Sequence, residues 1–464
     1  MYRELLKLCG FEEEQIDRET HRIDKAFHIL EIESKDVTRA RNKITDCFDI
    51  ELVSVRKCLG LWLKEMVDMV LAKEEGKTIV YVSYPPISQI ACSLALASDK
   101  IYCAAPEIVL SNTFNLMFGK IDPILETAEQ HGLTPATAFC SYLQTRLGAI
   151  IKGIIPKPDL LICSSFLCDL APATDQLLHQ LYGTPVVYID NFFDVSGEEW
   201  PDAISRRKVE YLATEMRNAM TIFTEVTGYE VTEEKIQEAI QIRNRLNNIC
   251  NEIQKLRQAD AIPLSQNISS IVNSLSSACI KRGLQEGLEA LDLLHKEVEE
   301  RISNGAWVSQ TGTPRVIFTM VPHDPSLIKM TERLGLTIVG TAVASTPGGA
   351  RKSTYSDLWE QVADSLMRGR GANYSSLAYI RQLKELARLW AVDGIIFFRH
   401  YSCRQYSILS IKAKEIIESE LGIPVLQLEG DYCDFRTYST EQMIPKIETF
   451  AEILRDNKRR MRRA

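Results

Sequence analysis

The chain is 464 residues long and carries a formal net charge of −8, with 45% hydrophobic and 25% charged residues. This length exceeds what one hydrophobic core usually supports, so we expect two or three domains of an ordinary soluble globular protein. The acidic balance disfavours nucleic acid as the main partner, and the short basic run at residues 458–463 is typical of a solvated, frayed end.

Two further features of the sequence indicate the compartment. Residues 1–14 carry charges where a secretory signal needs an apolar run, and no stretch of about 20 apolar residues predicts a membrane span. We therefore expect a cytoplasmic protein with no membrane partner. The 12 cysteines are then not a disulfide framework, because disulfides do not persist in a reducing compartment. Each is a buried apolar residue, a metal ligand or a nucleophile.

The pattern of elements divides the chain into four regions. They are an N-terminal helical region at 1–77, a first α/β lobe at 78–200, a helical region at 201–312, and a second α/β lobe with the basic tail at 313–464. The helical insert shows an apolar stripe along one helix face, at Ile242, Leu246, Ile249, Ile253 and Leu256. The predicted fold class is therefore α/β, with two similar parallel-sheet lobes of Rossmann or flavodoxin type, an N-terminal helical region and a helical insert.

One unit of sequence occurs in both lobes, at 158–190 and 392–431. In each copy a buried strand ends just before a cysteine, a helical stretch follows, and a second strand begins with Gly-x-Pro-Val. Ligands of parallel α/β sheets bind at the carboxyl ends of the strands. Cys168 and Cys403 therefore fall where the two lobes would hold a shared cofactor.

Cysteine thiolates are the usual ligands of iron–sulfur clusters, and a cluster bound by fewer than four of them leaves an iron open to another ligand. Cys140, which precedes a helical run ending at Gly148, is the third candidate beside Cys168 and Cys403. The alternative is that all three are inert buried cysteines. Zinc is less favoured, because the chain has neither Cys-x-x-Cys nor two histidines three to five residues apart.

Four further residues are candidates for the site. His400 lies three residues before the second repeated cysteine and either packs against the strand end or donates a proton. Glu429, at the end of the last predicted strand, either caps a helix or contacts substrate. The basic loop at 345–353 is either a plain surface loop or a phosphate-binding loop. We take His400 and Glu429 as candidate catalytic residues, and Arg351 and Lys352 as candidate cofactor-binding residues.

Several motifs occur in a fixed order along the chain. They are Cys140-Ser141-Tyr142 with Gly148, the strand ending at Cys168, Gly-x-Pro-Val-Val-x-x-Asp at 183–190, the turn Ser402-Cys403-Arg404, and Glu429-Gly430-Asp431-x-x-Asp434-x-Arg436. Together they resemble the benzoyl-CoA reductase and 2-hydroxyacyl-CoA dehydratase family, and the resemblance covers roughly residues 78–455.

The resemblance implies an iron–sulfur subunit in which the facing strand ends of two lobes hold a 4Fe-4S cluster through Cys140, Cys168 and Cys403. It also implies a dimer with a related subunit or with a second copy, fed with single low-potential electrons by a separate ATP-hydrolysing iron–sulfur activator. No P-loop motif occurs in this chain, which agrees with a separate activator. The implied reaction is one-electron reduction of a CoA thioester to a ketyl-type radical, leading to loss of water from a 2-hydroxyacyl-CoA or to reduction of an aromatic ring.

Two departures from the family pattern bear on the reaction. Many dehydratase-type members have an acidic residue soon after the proline that follows the first strand, where this chain has Pro86-Ile87-Ser88-Gln89-Ile90. A carboxylate there could act on the leaving hydroxyl and its proton during dehydration. Its absence therefore slightly favours reduction over dehydration. The second departure is a surplus of cysteines, of which Cys92 and Cys433 lie near strand ends and are the better-placed additional ligands.

The surplus of cysteines leaves a second function open. It matches, in number only, a double-cubane reductase of small molecules, which would need no CoA ester. A third hypothesis is a catalytically silent subunit that only completes a heterodimer.

Overall fold

The computed structural model describes the chain with short gaps. The described residues are 2–83, 87–134, 139–165, 168–190, 200–202, 204–278, 281–320, 322–342, 353–369 and 376–461. The basic loop that carries Arg351 and Lys352 lies outside these residues, as does Pro86 of the departure after the first strand.

The N-terminal helical region consists of four helices. They are α1 (Arg3–Leu8), α2 (Glu13–Ile29), α3 (Ser34–Cys47) and α4 (Val53–Leu71). Helix α4 is buried around most of its circumference, with Trp62 fully buried, and it packs against α2 and against the later helical region. A helix that is apolar all round belongs in a protein interior, which is where α4 lies.

The first lobe is a four-stranded parallel sheet with helices on its faces. Its strands are β1 (Thr78–Val82), β2 (Ile101–Ala104), β3 (Leu160–Ser164) and β4 (Val186–Ile189), in the order β2-β1-β3-β4. Its helices are α5 (Ser88–Ala97), α6 (Pro106–Leu110), α7 (Asp122–Gln130), α8 (Ser141–Lys152) and α9 (Leu170–Tyr182), with a π-helical turn at Ser111–Asn115. The strands are nearly continuous apolar runs because both faces of the sheet are covered.

The helical insert joins the two lobes. Its helices are α10 (Arg206–Thr227), α11 (Glu233–Leu256), α12 (Gln266–Ala278) and α13 (Lys281–Ser303). The predicted apolar stripe lies along α11, where Leu246, Ile249 and Ile253 are buried. Immediately after α11, the fully buried Arg257 donates to the carbonyl oxygen of Ile338 at 2.8 Å, which ties the insert to the second lobe.

The second lobe repeats the architecture of the first. Its strands are β5 (Arg315–Thr319), β6 (Thr337–Gly340), β7 (Gly394–His400) and β8 (Val425–Gly430), in the order β6-β5-β7-β8. Its helices are α14 (Pro325–Arg333), α15 (Leu358–Gly369), α16 (Ser376–Leu389), α17 (Arg404–Leu421) and α18 (Thr440–Met461), with a 3-10 turn at Phe435–Thr437. All strand pairs of both sheets are parallel among the residues that the structure describes.

The predicted fold class is confirmed, because both lobes are parallel sheets with the same strand order. In that order the chain reverses direction across the sheet between β1 and β3, and between β5 and β7. Ligands of doubly wound sheets bind at the carboxyl edge near such a switch point.

The first-lobe sheet shares one hydrophobic core with the N-terminal helices and the insert, while the second lobe packs separate cores on the two faces of its sheet. No helix of the described ranges has both the length and the apolar content that crossing a membrane requires.

Candidate functional site

The three predicted ligand cysteines all lie at or near helix N-termini. Cys140 is the N-cap residue of α8, Cys403 is the N-cap residue of α17, and Cys168 precedes the first residue of α9 by two positions. All three are half-buried. The first backbone N–H groups of a helix have no intrahelical acceptor and carry partial positive charge, which stabilises a thiolate or another anion beside them.

The thiols of Cys168 and Cys403 both lie close enough to that of Cys140 to affect it electrostatically. Burial raises the pKa of Cys140 well above its ordinary value, followed by the effects of Cys168, Asp431 and Cys403, while the N–H of Leu143 opposes them. The structure therefore brings together one cysteine from α8, one that follows β3 and one that follows β7. Grouped thiolates in a poorly solvated place need a compensating cation, because each added negative charge raises the cost of ionising the next.

A buried carboxylate joins two of the cysteine-bearing segments. Asp431 follows β8 and accepts hydrogen bonds from the Ser141 hydroxyl with Oδ1 and from the Ser402 hydroxyl with Oδ2. The side chains of all three residues are buried. Ser141 follows Cys140 directly and Ser402 precedes Cys403 directly, so this carboxylate spans the boundary between the lobes.

Of the two additional candidate ligands, Cys433 lies beside this network and Cys92 lies within the core. The backbone N–H of Cys433 donates to Ser141 Oγ at 2.8 Å, and its carbonyl oxygen accepts from Asn115 Nδ2 at 3.3 Å. Burial raises the pKa of the Cys433 thiol well above its ordinary value. Cys92 is fully buried in α5.

His400 is the last residue of β7 and is almost completely buried. Its Nε2 lies 2.8 Å from the carbonyl oxygen of Met320, which makes Nε2 the protonated nitrogen of the neutral ring. Its Nδ1 has no hydrogen-bond partner among the described residues. Burial lowers the pKa of His400, against the opposing effect of the Asp431 carboxylate, so the neutral ring offers Nδ1 as a hydrogen-bond acceptor.

Aromatic rings surround His400 at the edge of the sheet. Tyr432 lies with its ring centroid 5.1 Å from that of His400 and 4.6 Å from that of His323, and Tyr142 stacks on His323 at 5.9 Å. Burial, and then the proximity of His400, lower the pKa of His323 to about 3. The two imidazoles are therefore neutral at physiological pH. Together with the two tyrosine rings they form an uncharged surface next to the cysteines.

The remaining predicted residues lie in other surroundings. Glu429 is in β8 with an exposed side chain, and it forms an ion pair of 2.6 Å with Arg399 on the neighbouring strand β7. Asp431, two residues later, is the acid of the same motif that contacts the cysteine segments. Arg351 and Lys352 lie outside the described residues, so their predicted role stays a prediction.

A buried ion network beside the site was not predicted from the sequence. Arg146 of α8 is completely buried and contacts Asp175 at 2.5 Å and Glu107 at 3.4 Å. It also donates to Ser83 Oγ at 2.7 Å, just after β1. Burial lowers the pKa of Arg146, but the two carboxylates, then Cys163 and the nearby Cys168, raise it above its ordinary value. A lone arginine in a helix gives no sign of burial, and only its position six residues after Cys140 could have drawn attention to it.

The donor set fits an iron–sulfur cluster better than a single metal ion. Among the residues that the structure describes, no three His, Cys, Asp or Glu side chains converge on one point in a way that would hold an ion. A cubane cluster is bound differently, because each thiolate binds a different iron atom and the sulfur atoms stay apart. Three half-buried thiols at helix N-termini, carried by two facing lobes, are the donors that such a cluster uses.

Comparison with known proteins gives the family. The family model for the 2-hydroxyglutaryl-CoA dehydratase D-component matches residues 96–454, which is well over half of the chain. The chain belongs to this family. The matched residues include Cys140, Cys168, Cys403 and Asp431, and the resemblance stated from the sequence is confirmed.

Three curated relatives of this chain are named as α subunits of dehydratases. The chain is 24% identical over 310 residues to the (R)-2-hydroxyglutaryl-CoA dehydratase α subunit of Acidaminococcus fermentans, covering 65% of this chain and 62% of that one. It is 24% identical over 347 residues to the (R)-phenyllactyl-CoA dehydratase α subunit of Clostridium sporogenes, covering 71% and 79%. It is 21% identical over 354 residues to the (R)-2-hydroxyisocaproyl-CoA dehydratase α subunit of Clostridioides difficile, covering 72% and 82%. The match thus spans less than two thirds of the first of these relatives.

Proposed function

We propose that the chain is the iron–sulfur subunit of a 2-hydroxyacyl-CoA dehydratase, with a 4Fe-4S cluster held by Cys140, Cys168 and Cys403. The observation that carries the proposal is the meeting of these three thiols, from both lobes, at helix N-termini. The relatives support dehydration, since three are named as dehydratase subunits for different (R)-2-hydroxyacyl-CoA esters. The names of these relatives favour dehydration, whereas the missing acid after the first strand favoured reduction.

The cluster would supply single low-potential electrons and an iron atom with an open coordination position. The chain's own residues would provide the surroundings. The helix N-termini behind Cys140 and Cys403 stabilise negative charge at the sulfur atoms, and the neutral rings of His400 and Tyr432 exclude water from one side. His400 Nδ1, which is buried and without a partner among the described residues, can accept a hydrogen bond from a substrate hydroxyl.

The proposal includes partners. The relatives are named as α subunits, so we propose a dimer with a related subunit, or with a second copy of this chain. The substrate is a CoA thioester, and the basic loop with Arg351 and Lys352 is the proposed contact for its phosphate groups. Electrons would come from a separate ATP-hydrolysing iron–sulfur activator, because the sequence has no P-loop motif with which to bind and hydrolyse ATP itself.

The cluster is tested by iron and sulfide content after anaerobic purification. We expect about four irons per chain for one cubane and a large loss of iron in Cys140→Ser, Cys168→Ser and Cys403→Ser. Cys250→Ser is the matched control, because Cys250 is half-buried like the three but lies in α11. Less than about one iron per chain, unchanged by Cys403→Ser, would contradict the proposal.

The other two functions make different predictions. About eight irons per chain, reduced by Cys92→Ser or Cys433→Ser, would favour the double-cubane reductase. The silent-subunit hypothesis predicts that the complex keeps full activity when the three cysteines of this chain are replaced. The reaction itself is tested with the complex, activator and ATP, by comparing loss of water from an (R)-2-hydroxyacyl-CoA with reduction of an aromatic acyl-CoA. Turnover of only the aromatic ester would contradict the proposed dehydration.

A further inference from the structure

Asp431 differs from the other acids of its motif in the hydrogen bonds that it accepts. It is completely buried, and its two carboxylate oxygens bond to hydroxyls from different lobes. Oδ1 accepts from Ser141 in the first lobe and Oδ2 accepts from Ser402 in the second. Because these serines are adjacent in sequence to Cys140 and Cys403, one carboxylate fixes the positions of two cysteine-bearing turns relative to each other.

Backbone groups close the network around the carboxylate. The N–H of Tyr432 donates to Asp431 Oδ1 at 2.5 Å, and the N–H of Cys433 donates to Ser141 Oγ at 2.8 Å. The Ser141 hydroxyl is thus an acceptor from one backbone group while its proton is directed at the carboxylate. Hydrogen bonds to an ionised acceptor are shorter and stronger than those between neutral groups, so this arrangement orients the first residue of α8 strongly.

The neighbouring acids have different and local partners. Glu429 is exposed and paired with Arg399. Asp434 is buried like Asp431, but its carboxylate accepts from the backbone N–H of Arg436 and from its guanidinium, the latter at 2.8 Å. Asp434 therefore stabilises its own turn and offers a matched comparison for Asp431.

We propose that Asp431 is a positioning residue that holds Cys140 and Cys403 at the separation a bound cluster requires. The inference rests on the proposed function, since it assigns the carboxylate a role toward the cluster ligands. Asp431 acts through Ser141 and Ser402 and is not itself a ligand. Groups that hydrogen-bond the segments carrying metal ligands commonly change metal affinity by roughly 10- to 100-fold when they are replaced.

Four variants test the role of Asp431. Asp431→Asn keeps the volume but removes the charge and one acceptor oxygen. Ser141→Ala breaks the link to the first lobe only, and Ser402→Ala breaks the link to the second lobe only. Asp434→Asn is the control, because it neutralises a buried acid three residues away whose carboxylate bonds to Arg436 and not to Ser141 or Ser402.

The readouts are iron retention against a chelator, the electron paramagnetic resonance spectrum of the reduced protein, and thermal unfolding of the iron-free chain. We expect Asp431→Asn, Ser141→Ala and Ser402→Ala to lose iron roughly 10- to 100-fold faster than the wild type and to show altered spectra, whereas Asp434→Asn keeps both at wild-type values. If Asp431→Asn does not fold, the two serine variants decide the question.

Two results would overturn the inference, and they are distinguishable. If the wild type binds the cluster and all three variants retain it with an unchanged spectrum, Asp431 is a purely structural acid even when the melting temperature falls. If the wild type binds no cluster, the proposed function fails and the inference falls with it.

Discussion

Charged side chains buried in the first lobe and in the N-terminal helices that pack on it differ in how their charge is compensated. Arg146 contacts two carboxylates, so the ionised forms of all three groups stabilise one another. Glu65 of α4 is equally buried, but its hydrogen-bond partner is the neutral phenol of Tyr102, which donates to Oε1 at 2.6 Å. A buried carboxyl bonded by a neutral group is more stable when protonated, because water no longer solvates its charge.

This difference predicts a pH-dependent contribution of Glu65 to stability. Burial, and then the Asp68 carboxylate, raise the pKa of Glu65 to about 8, against the opposing effects of Tyr102, Arg282 and Lys77. A glutamate in the unfolded chain has a pKa of about 4.3. Between these two values the folded state binds more protons than the unfolded state, so the free energy of unfolding falls as the pH rises from about 4 to about 8.

Glu65→Gln should remove this fall in the free energy of unfolding, since glutamine keeps an acceptor oxygen for Tyr102 and does not ionise. We expect the variant to be more stable than the wild type by roughly 4–5 kcal/mol at pH 8 and much closer to it near pH 4. Denaturant unfolding of the iron-free chain at several pH values measures the difference. Glu75→Gln, which removes a carboxylate paired with Arg22 near the surface, is the control and should leave the pH dependence in place. Parallel curves for wild type and Glu65→Gln would contradict the prediction.

At the scale of elements, helix α8 shows why the motif that begins at Cys140 includes a glycine. The helix crosses α7 so closely that a Cβ atom at Gly148 would lie 2.1 Å from the carbonyl oxygen of Ile124. No side chain fits there without a shift of one helix, because a carbonyl oxygen of a neighbouring backbone cannot rotate away. The position of Cys140 at the start of α8 therefore depends on a contact two helical turns later.

Gly148→Ala should move α8 away from α7. Overpacking of this kind costs about 1–3 kcal/mol of stability, and we expect faster loss of iron because Cys140 moves with the helix. Gly287→Ala in α13 is the matched control, since no atom lies within 4 Å of the Cβ that it would add. The control should be unchanged or more stable by up to about 1 kcal/mol. Wild-type stability and iron retention in Gly148→Ala would show that the two helices do not determine the position of Cys140.

At the scale of the molecule, the sequence predicts what is local and misses what joins the lobes. The two parallel sheets and the cysteines after β3 and β7 follow from short runs in which strand and cysteine are neighbours. The bond between Ser141 and Asp431 joins residues 290 positions apart, and no local pattern contains it. The motif also contains three acids without showing which of them contacts the cysteine segments. The structure leaves Glu429 exposed, pairs the buried Asp434 with Arg436, and directs Asp431 at the two serines beside the cysteines.

A second contact between the lobes lies in the same segment and has a different character. Arg436, after β8, forms an ion pair of 2.6 Å with Glu129 of α7 in the first lobe, with Glu126 at 3.9 Å and Asp434 at 2.8 Å. About a third of each of the Arg436 and Glu129 side chains is exposed. Solvent therefore screens the pair, and we expect it to contribute about 1 kcal/mol or less to the docking of the lobes.

Reversing the charge tests whether this pair helps to hold the lobes together. Arg436→Glu places a negative charge among carboxylates, so the amide of Cys433, which bonds to Ser141 across the lobe boundary, should exchange its hydrogen faster. The double variant with Glu129→Arg should recover part of the protection, and the double-mutant cycle gives the coupling between the two sites. Arg399→Glu breaks a pair between two strands of the second lobe and should leave exchange at Cys433 unchanged. Equal exchange rates in Arg436→Glu and the wild type would show that the buried network alone docks the lobes at this edge.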